Sequence, residues 1–393
     1  MSVTNNITID LNNMKQSDYT FLQIGYDSEM IIKLLNELKN KPIESVEIIP
    51  FISLFCWEAT EFFKKYDINF EMPNNKTFSL QDIRLKTKLF ENKYSKAKKM
   101  ILNCDYLQDY IFKHQLKFKF MYDWNIHYNL GIFVDKYGNI VGNSQYGYYI
   151  FQDNKLLKKK IIDIEKLDNT KELKYEFKPE EYFEYGEFCG KIIARINNFF
   201  KDINVKTTVN AISSNLFYKD LNTNKHLKTF NKDDEGKALT LYLIHILSTI
   251  NSVIKLLKKY EKTDKGWWLR IYYITYYYAL QRLNDIRNHI TMNGILNHKM
   301  QKFYYIINID DKELMNIEFR NCMMHYDLID KNNKFLIKDE YLNVNIPLFG
   351  LVESCFGGIK YDELKSKTLE KLNLLSTEIQ KLLDLNITNP ISF

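Results

Sequence analysis

Glycine and proline are scarce, 13 and 6 in 393 residues, which excludes collagen-like, linker-like and turn-dense all-β architectures. Cysteine is scarce too. Its five positions, Cys56, Cys104, Cys189, Cys322 and Cys355, are scattered and form no C-x-x-C pair, so neither a zinc knuckle, a redox dithiol nor a disulfide framework is expected. Arginine is the rarest strong cation, six residues against 49 Lys. Also missing are G-x-x-x-x-G-K-[ST], G-x-G-x-x-G, G-x-S-x-G and H-E-x-x-H, which withdraws the usual sequence support for P-loop, Rossmann, nucleophile-elbow and zincin chemistry. With seven scattered His, no metal and no cofactor is expected.

The charge of one sign is modest: 55 basic against 49 acidic side chains leave +6. That is too little for a DNA-coating protein, yet it permits a polyanionic ligand. Residues 1–20 alternate polar and apolar without a basic or continuous apolar region, so the expectation is a cytoplasmic protein with no targeting segment. One long apolar run exists, Ala238 to Leu257, but His245, Ser248, Thr249, Asn251, Ser252 and Lys255 interrupt it. Those polar groups are expensive in hydrocarbon, so the run is expected to be a buried helix and no membrane is implied.

Hydrophobic residues make up 45% of the chain, enough for sizeable cores, and the length suits two domains or three. Apolar residues recur at helical spacing over 28–39, 47–66 and 80–121. The period then shifts to two over about 127–153, where Lys136-Tyr137-Gly138-Asn139 and Gly142-Asn143 are turn signals for a small antiparallel β-element. A further helical block covers 179–203. The expected N-terminal domain is therefore 1–205, mainly helical with an α+β character. A polar linker is expected at 206–231, and a C-terminal up-and-down helical bundle at 232–386, with helices near 235–260, 265–296, 311–329 and 361–385. The fold class is mainly α. Asp233-Asp234-Glu235 and Asp310-Asp311 precede helices and read as N-terminal charge caps rather than metal sites. Lys113 to Tyr128 interleaves bases with aromatics, a pattern that suits single-stranded RNA stacking but more often reflects core packing.

The informative segment is Phe319-Arg320-Asn321-Cys322-Met323-Met324-His325-Tyr326. R-x4-6-H spacing is weak alone, and it also occurs at Arg282–His289. On a helix over 311–329, Asn321 and His325 fall on the apolar meridian with Leu314, Ile317, Met324 and Leu328, where unpaired polar groups cost about 1–3 kcal/mol each. Arg320 lies roughly 140° away around that helix. Four of the six Arg (Arg270, Arg282, Arg287, Arg320) fall within the bundle's middle, and a planar guanidinium recognises phosphate in a way Lys does not reproduce. A bland reading stands beside this one: His325 bonded to Asn321 and Arg320 paired with Asp327 or Glu318. Arg282, Asp285 and His289 share a face of the preceding helix, either lining the same cleft or locking two helices together.

Arg320-Asn321-x-x-x-His325-Tyr326 in a C-terminal all-α bundle resembles the signature of the HEPN superfamily, whose members are widely metal-independent RNA endonucleases of toxin, abortive-infection and CRISPR-associated systems. The resemblance covers about residues 232–386. It implies a catalytic pair, Arg320 and His325, oriented by Asn321 and Tyr326, with Arg282, Arg287 and His289 as candidate substrate-binding residues. It also implies a homodimer with a composite active site. The expected reaction is attack by the RNA 2′-hydroxyl to leave a 2′,3′-cyclic phosphate: an imidazole exchanges protons near neutral pH, and a fixed cation stabilises charge on the phosphate. A defence or toxin role with an antitoxin or regulatory partner goes with that resemblance. The alternative is a non-catalytic HEPN-like subunit that binds RNA or protein.

Overall fold

A computed structural model describes residues 14–115 except 76 and 92, 129–144, 180–201, 207–211, 215–227, 230, 233–294, 297–307, 311–385 except 331 and 333, 387, 391 and 392. The protein is mainly helical with a small antiparallel sheet, as expected from its composition. In the N-terminal half, α1 (Gln16–Leu38), α2 (Pro42–Glu47), α3 (Ile49–Lys65), α4 (Leu80–Lys86), α5 (Tyr94–Gln115) and α6 (Glu180–Phe199) follow one another around the hairpin β1 (Leu130–Asp135) and β2 (Ile140–Asn143). The block expected at 80–121 is two helices: α4 ends at Thr87, whose hydroxyl turns inward to Ser53 at 2.6 Å. The aromatic and basic stretch ending at Tyr128 lies mostly outside the described residues.

The hairpin turns where expected. Gly138 takes φ +79°, and the Asp135 carboxylate accepts from the amides of Tyr137 and Asn139 at 2.9 and 3.0 Å. A two-residue strand, β3 (Thr208–Val209), follows α6. The stretch expected as a linker then contributes β4 (Leu216–Leu221), which pairs antiparallel with β1. Its polar residues misled the reading because an edge-proximal strand need bury only one face: Leu216 and Leu221 are buried while 217–220 are half-buried.

The C-terminal half contains α7 (Asp234–Asn251), β5 (Glu261–Thr263), α8 (Trp267–Met292), α9 (His298–Ile307), α10 (Ile317–His325), α11 (Leu351–Cys355) and α12 (Tyr361–Leu383). A last strand, β6 (Ile391–Ser392), completes the sheet order β2-β1-β4-β6. Asp233 caps α7 by accepting from Gly236 N at 2.8 Å, so this acidic cluster serves a helix start, as expected. Two differences matter for the site. A separate helix, α9, occupies 298–307, and the helix expected over 311–329 spans only Ile317–His325.

The long apolar run is a core helix. Asp234–Tyr260 is long and apolar enough to cross a membrane, but its side chains are buried inside the protein. Its polar groups are used internally: Asn251 donates to Ile140 O at 2.7 Å and accepts from Ser376 at 2.6 Å, while Ser248 accepts from Asn143 at 3.1 Å. These bonds tie the sheet and α12 to one helix. At Ser252–Leu256 the helix widens to a π-turn before closing as a 3₁₀ turn. One continuous hydrophobic core takes side chains from both halves of the chain, including Ile24, Met30, Phe55, Ile192, Leu243, Trp268, Phe319 and Leu375.

His245 is buried in that core, with Nε2 3.2 Å from Leu89 O, and burial pushes its pKa down to about 4. An unfolded chain binds the His245 proton below the ordinary value near 6.5, while the folded protein resists it. This group's contribution is therefore present above pH 6.5 and is lost as pH falls towards 4, reaching about 3 kcal/mol. Urea midpoints measured at pH 7 and pH 4.5 should converge more for His245→Phe than for the wild type. An equal fall in both proteins contradicts the assignment.

Candidate functional site

Helix α8 sets the geometry of α10. Gly266 precedes it at φ +135°, where a Cβ would meet Leu348 Cδ2 at 2.5 Å. Asp264 then caps the helix by accepting from Trp268 N at 2.8 Å. From that start, Arg270, Tyr273, Tyr277 and Tyr278 follow at spacings that place them on adjoining positions of one helix side. The first three meet α10 and its flanks.

Both ends of α10 are held. At its start Asn316 accepts from Phe319 N at 2.9 Å and donates to Cys355 O at 3.0 Å, while Tyr273 donates to Leu314 O at 2.7 Å. At its end Tyr326 adopts a left-handed conformation, φ +50°, which stops the helix. A non-glycine residue there costs about 1–3 kcal/mol unless its surroundings compensate. They do: the Tyr326 hydroxyl donates to Asp27, and the Arg270 guanidinium lies 3.8 Å over the Tyr326 ring. Arg270 also donates to the carbonyls of Cys322 and Met323 at 3.1 and 2.5 Å, and its Nε is 3.3 Å from Asp27. A cation on the last carbonyls opposes the negative end of the helix. Burial pushes the Asp27 carboxyl up to about 6, against the pull of Arg270, Tyr326 and Gln23.

Short as it is, α10 turns different residues outward than expected. Leu314 and Leu328 lie outside the helix, so the apolar meridian they would define does not exist. The buried face is Phe319, Cys322, Met323 and Met324. Ile317, Asn321 and His325, one turn apart from each other, are exposed. The Asn321 side chain forms no hydrogen bond among the described residues. Tyr326, expected to orient a catalytic pair, is buried and engaged by Asp27 and Arg270. Its part is to end the helix beside His325.

His325 has a partner the sequence reading missed. Its Nδ1 lies 3.2 Å from Glu58 Oε1, with the imidazole side chain 53% exposed and the glutamate 10%. Glu58 sits in α3, within an otherwise apolar helix face that also carries Phe55 and Phe62. A lone carboxylate on such a face was the available signal. With Nδ1 directed at a carboxylate, Nε2 is the nitrogen presented outward. Arg320 makes neither of the pairings the bland reading supposed: Asp327 pairs with Lys65 at 2.9 Å. The Arg320 guanidinium lies 5.3 Å over the Tyr277 ring, and its buried Nε lacks an acceptor among the described residues.

The other candidates are structural ties. Arg282 donates to Glu91 O at 2.8 Å and pairs with Asp285 at 3.1 Å. His289 Nε2 is 3.1 Å from Glu235, which also receives Lys98 and Tyr94. These contacts lock α8 to α7 and α5. Arg287 donates to Asn284 at 2.8 Å.

Beside that pair is a cleft of about 100 Å3 lined by Arg84, Lys88, Tyr278 and Met324 over an apolar floor. Among the described residues no group of three or more His, Cys, Asp or Glu is arranged to hold a metal ion. Compared with family models, with characterised proteins and with solved structures, the chain finds no match.

Removing the guanidinium from Arg270 leaves Asp27 without its counter-ion and two helix carbonyls without donors. Arg270→Met should lower unfolding stability by about 3 kcal/mol, read as a shift of the urea midpoint at pH 7.5. A change within about 0.5 kcal/mol would remove this residue from its central place.

Proposed function

We propose that the protein is a metal-independent RNA endonuclease of the HEPN type, acting in the cytosol. The observation that carries this reading is the outward-facing His325, held by a buried carboxylate, on the same short helix as an un-neutralised Arg320. A base fixed in tautomer by a carboxylate is the arrangement that general acid–base catalysis requires. Nε2 of His325 takes the proton from an RNA 2′-hydroxyl as its oxygen attacks the adjacent phosphorus. Arg320 stabilises the charge that gathers on the non-bridging oxygens. The bond to the 5′-oxygen breaks, that oxygen receives a proton, and a 2′,3′-cyclic phosphate remains.

One His325 serves one face of the phosphorus. The leaving oxygen lies opposite the attacking one, so a second imidazole is needed there, and a homodimer that brings two α10 helices together supplies it. The exposed line of Ile317, Asn321 and His325 suits such a meeting. A second reading, an RNA- or protein-binding subunit without cleavage, is favoured by the position of Arg320, whose guanidinium rests on Tyr277.

Purified protein should cut total cellular RNA in EDTA. His325→Ala should slow cutting by about 100-fold or more, and Arg320→Ala comparably. Glu58→Gln should slow it by about tenfold, because an amide in that place no longer selects one tautomer. Circular dichroism confirms that each variant is folded. Equal cutting by His325→Ala and the wild type contradicts the assignment, and no cutting by folded wild-type protein favours the binding subunit.

A further inference from the structure

The cleft beside His325 joins cations to an apolar wall in a way the catalytic pair does not use. Arg84 in the last turn of α4 and Lys88 just beyond it both line the cleft. Neither forms a hydrogen bond or ion pair with another side chain among the described residues. Arg84 is half-buried, and burial lowers its pKa from the ordinary value against the opposing pull of Glu58 and Tyr278. A guanidinium withdrawn from water without a bonded anion is costly, and its planar fork is suited to phosphate. The same cleft is lined by Leu54, Phe90, Met324 and the half-buried Tyr278. The ligand that fits both features has a flat, apolar part and an anionic group at one end.

The cleft adjoins the candidate active site through neighbouring residues. Met324 lines it and is the residue before His325. Glu58, which faces His325, is also the carboxylate nearest in charge to Arg84. Tyr278 adjoins Tyr277 at 5.8 Å between ring centres, and Arg320 lies over Tyr277. A ligand anchored on Arg84 and Lys88 therefore sits beside the helix that carries His325.

We propose that this cleft binds one nucleotide of the RNA substrate next to the scissile bond, with its base against Tyr278 and Met324 and its phosphate on Arg84 and Lys88. The choice of ligand rests on the ribonuclease reading; the pairing of unbonded cations with an apolar wall does not. Bases stack on an exposed aromatic face with little regard to sequence, and the cations fix the phosphate by charge-assisted bonds. The Glu58 carboxylate sets the limit on how close a second phosphate can approach.

The test is calorimetric titration of the full-length protein, in EDTA, with each of the four nucleoside 3′-monophosphates, and with nucleosides and inorganic phosphate as controls. At least one monophosphate should bind about tenfold or more tightly than its nucleoside and than phosphate. Arg84→Gln and Lys88→Gln should each weaken that binding by about tenfold, whereas His325→Ala should leave it within about twofold. Lys88 forms no hydrogen bond or ion pair with another side chain among the described residues, so Lys88→Gln keeps the test decisive where Arg84→Gln fails to fold. Three results overturn the proposal: no monophosphate binding by folded wild type, phosphate binding as tightly as the monophosphates, or unchanged binding in both cation variants. Nucleotide binding without RNA cleavage counts against the ribonuclease reading and leaves the subsite standing.

Discussion

The site depends on one buried charge contact, Arg270 between Asp27 and the end of α10. The guanidinium meets a carboxylate from α1, a phenol ring and two helix carbonyls within a single cluster. Each of these groups would be unfavourable where it stands without the others. The carboxylate would be a lone buried charge, the carbonyls would be orphaned at a helix end, and Tyr326 would hold a left-handed backbone without recompense. Together they join a helix from the first forty residues to one from the last hundred, and they fix where α10 stops. His325 is the last residue before that stop, which is why it stands at the surface beside Glu58.

A short helix has consequences a long one does not. Over nine residues, α10 presents two narrow faces, one packed on Phe319, Cys322 and Met323 and the other exposed. Besides the Asp27 contact, burial of Arg270, Tyr273 and Tyr276 on α8 is compensated by bonds towards α10 and its approach: to Met323, Leu314 and Asp311. The aromatic density of α8 thus serves as more than core filler, since the hydroxyls of Tyr273 and Tyr276 find their partners in the segment that leads into the candidate site. Arginine was spent in the same region: Arg270 as a helix-end donor, Arg282 as an interhelical tie, Arg320 over an aromatic ring.

Much of the fold was legible. The scarcity of Gly and Pro, the helical periods and the turn at Lys136 to Asn139 yield a mainly α protein with a small antiparallel sheet, because those signals are local and strong. The long interrupted apolar run reads correctly as a buried helix, since its polar groups are ones a protein core satisfies. Strand β4 was not legible, because Phe217, Tyr218, Lys219 and Asp220 look like a loop until β1 lies beside them. The end of α10 was not legible either. No glycine marks it, and what terminates it is a contact with Asp27, almost three hundred residues earlier.

The sequence by itself determined the class of fold, the absence of the commonest catalytic motifs and the presence of an Arg–Asn–x3–His–Tyr segment near the end of the chain. Those are properties of composition and spacing. Only the tertiary structure decided that Asn321 and His325 face solvent, that Tyr326 faces inward, that Glu58 is the partner of His325, and that Arg84 and Lys88 line a cleft beside it. The physical reason is that a helix face is defined by what packs against it. Periodicity assigns residues to faces only while the helix continues, and here a distant carboxylate and guanidinium end it at His325.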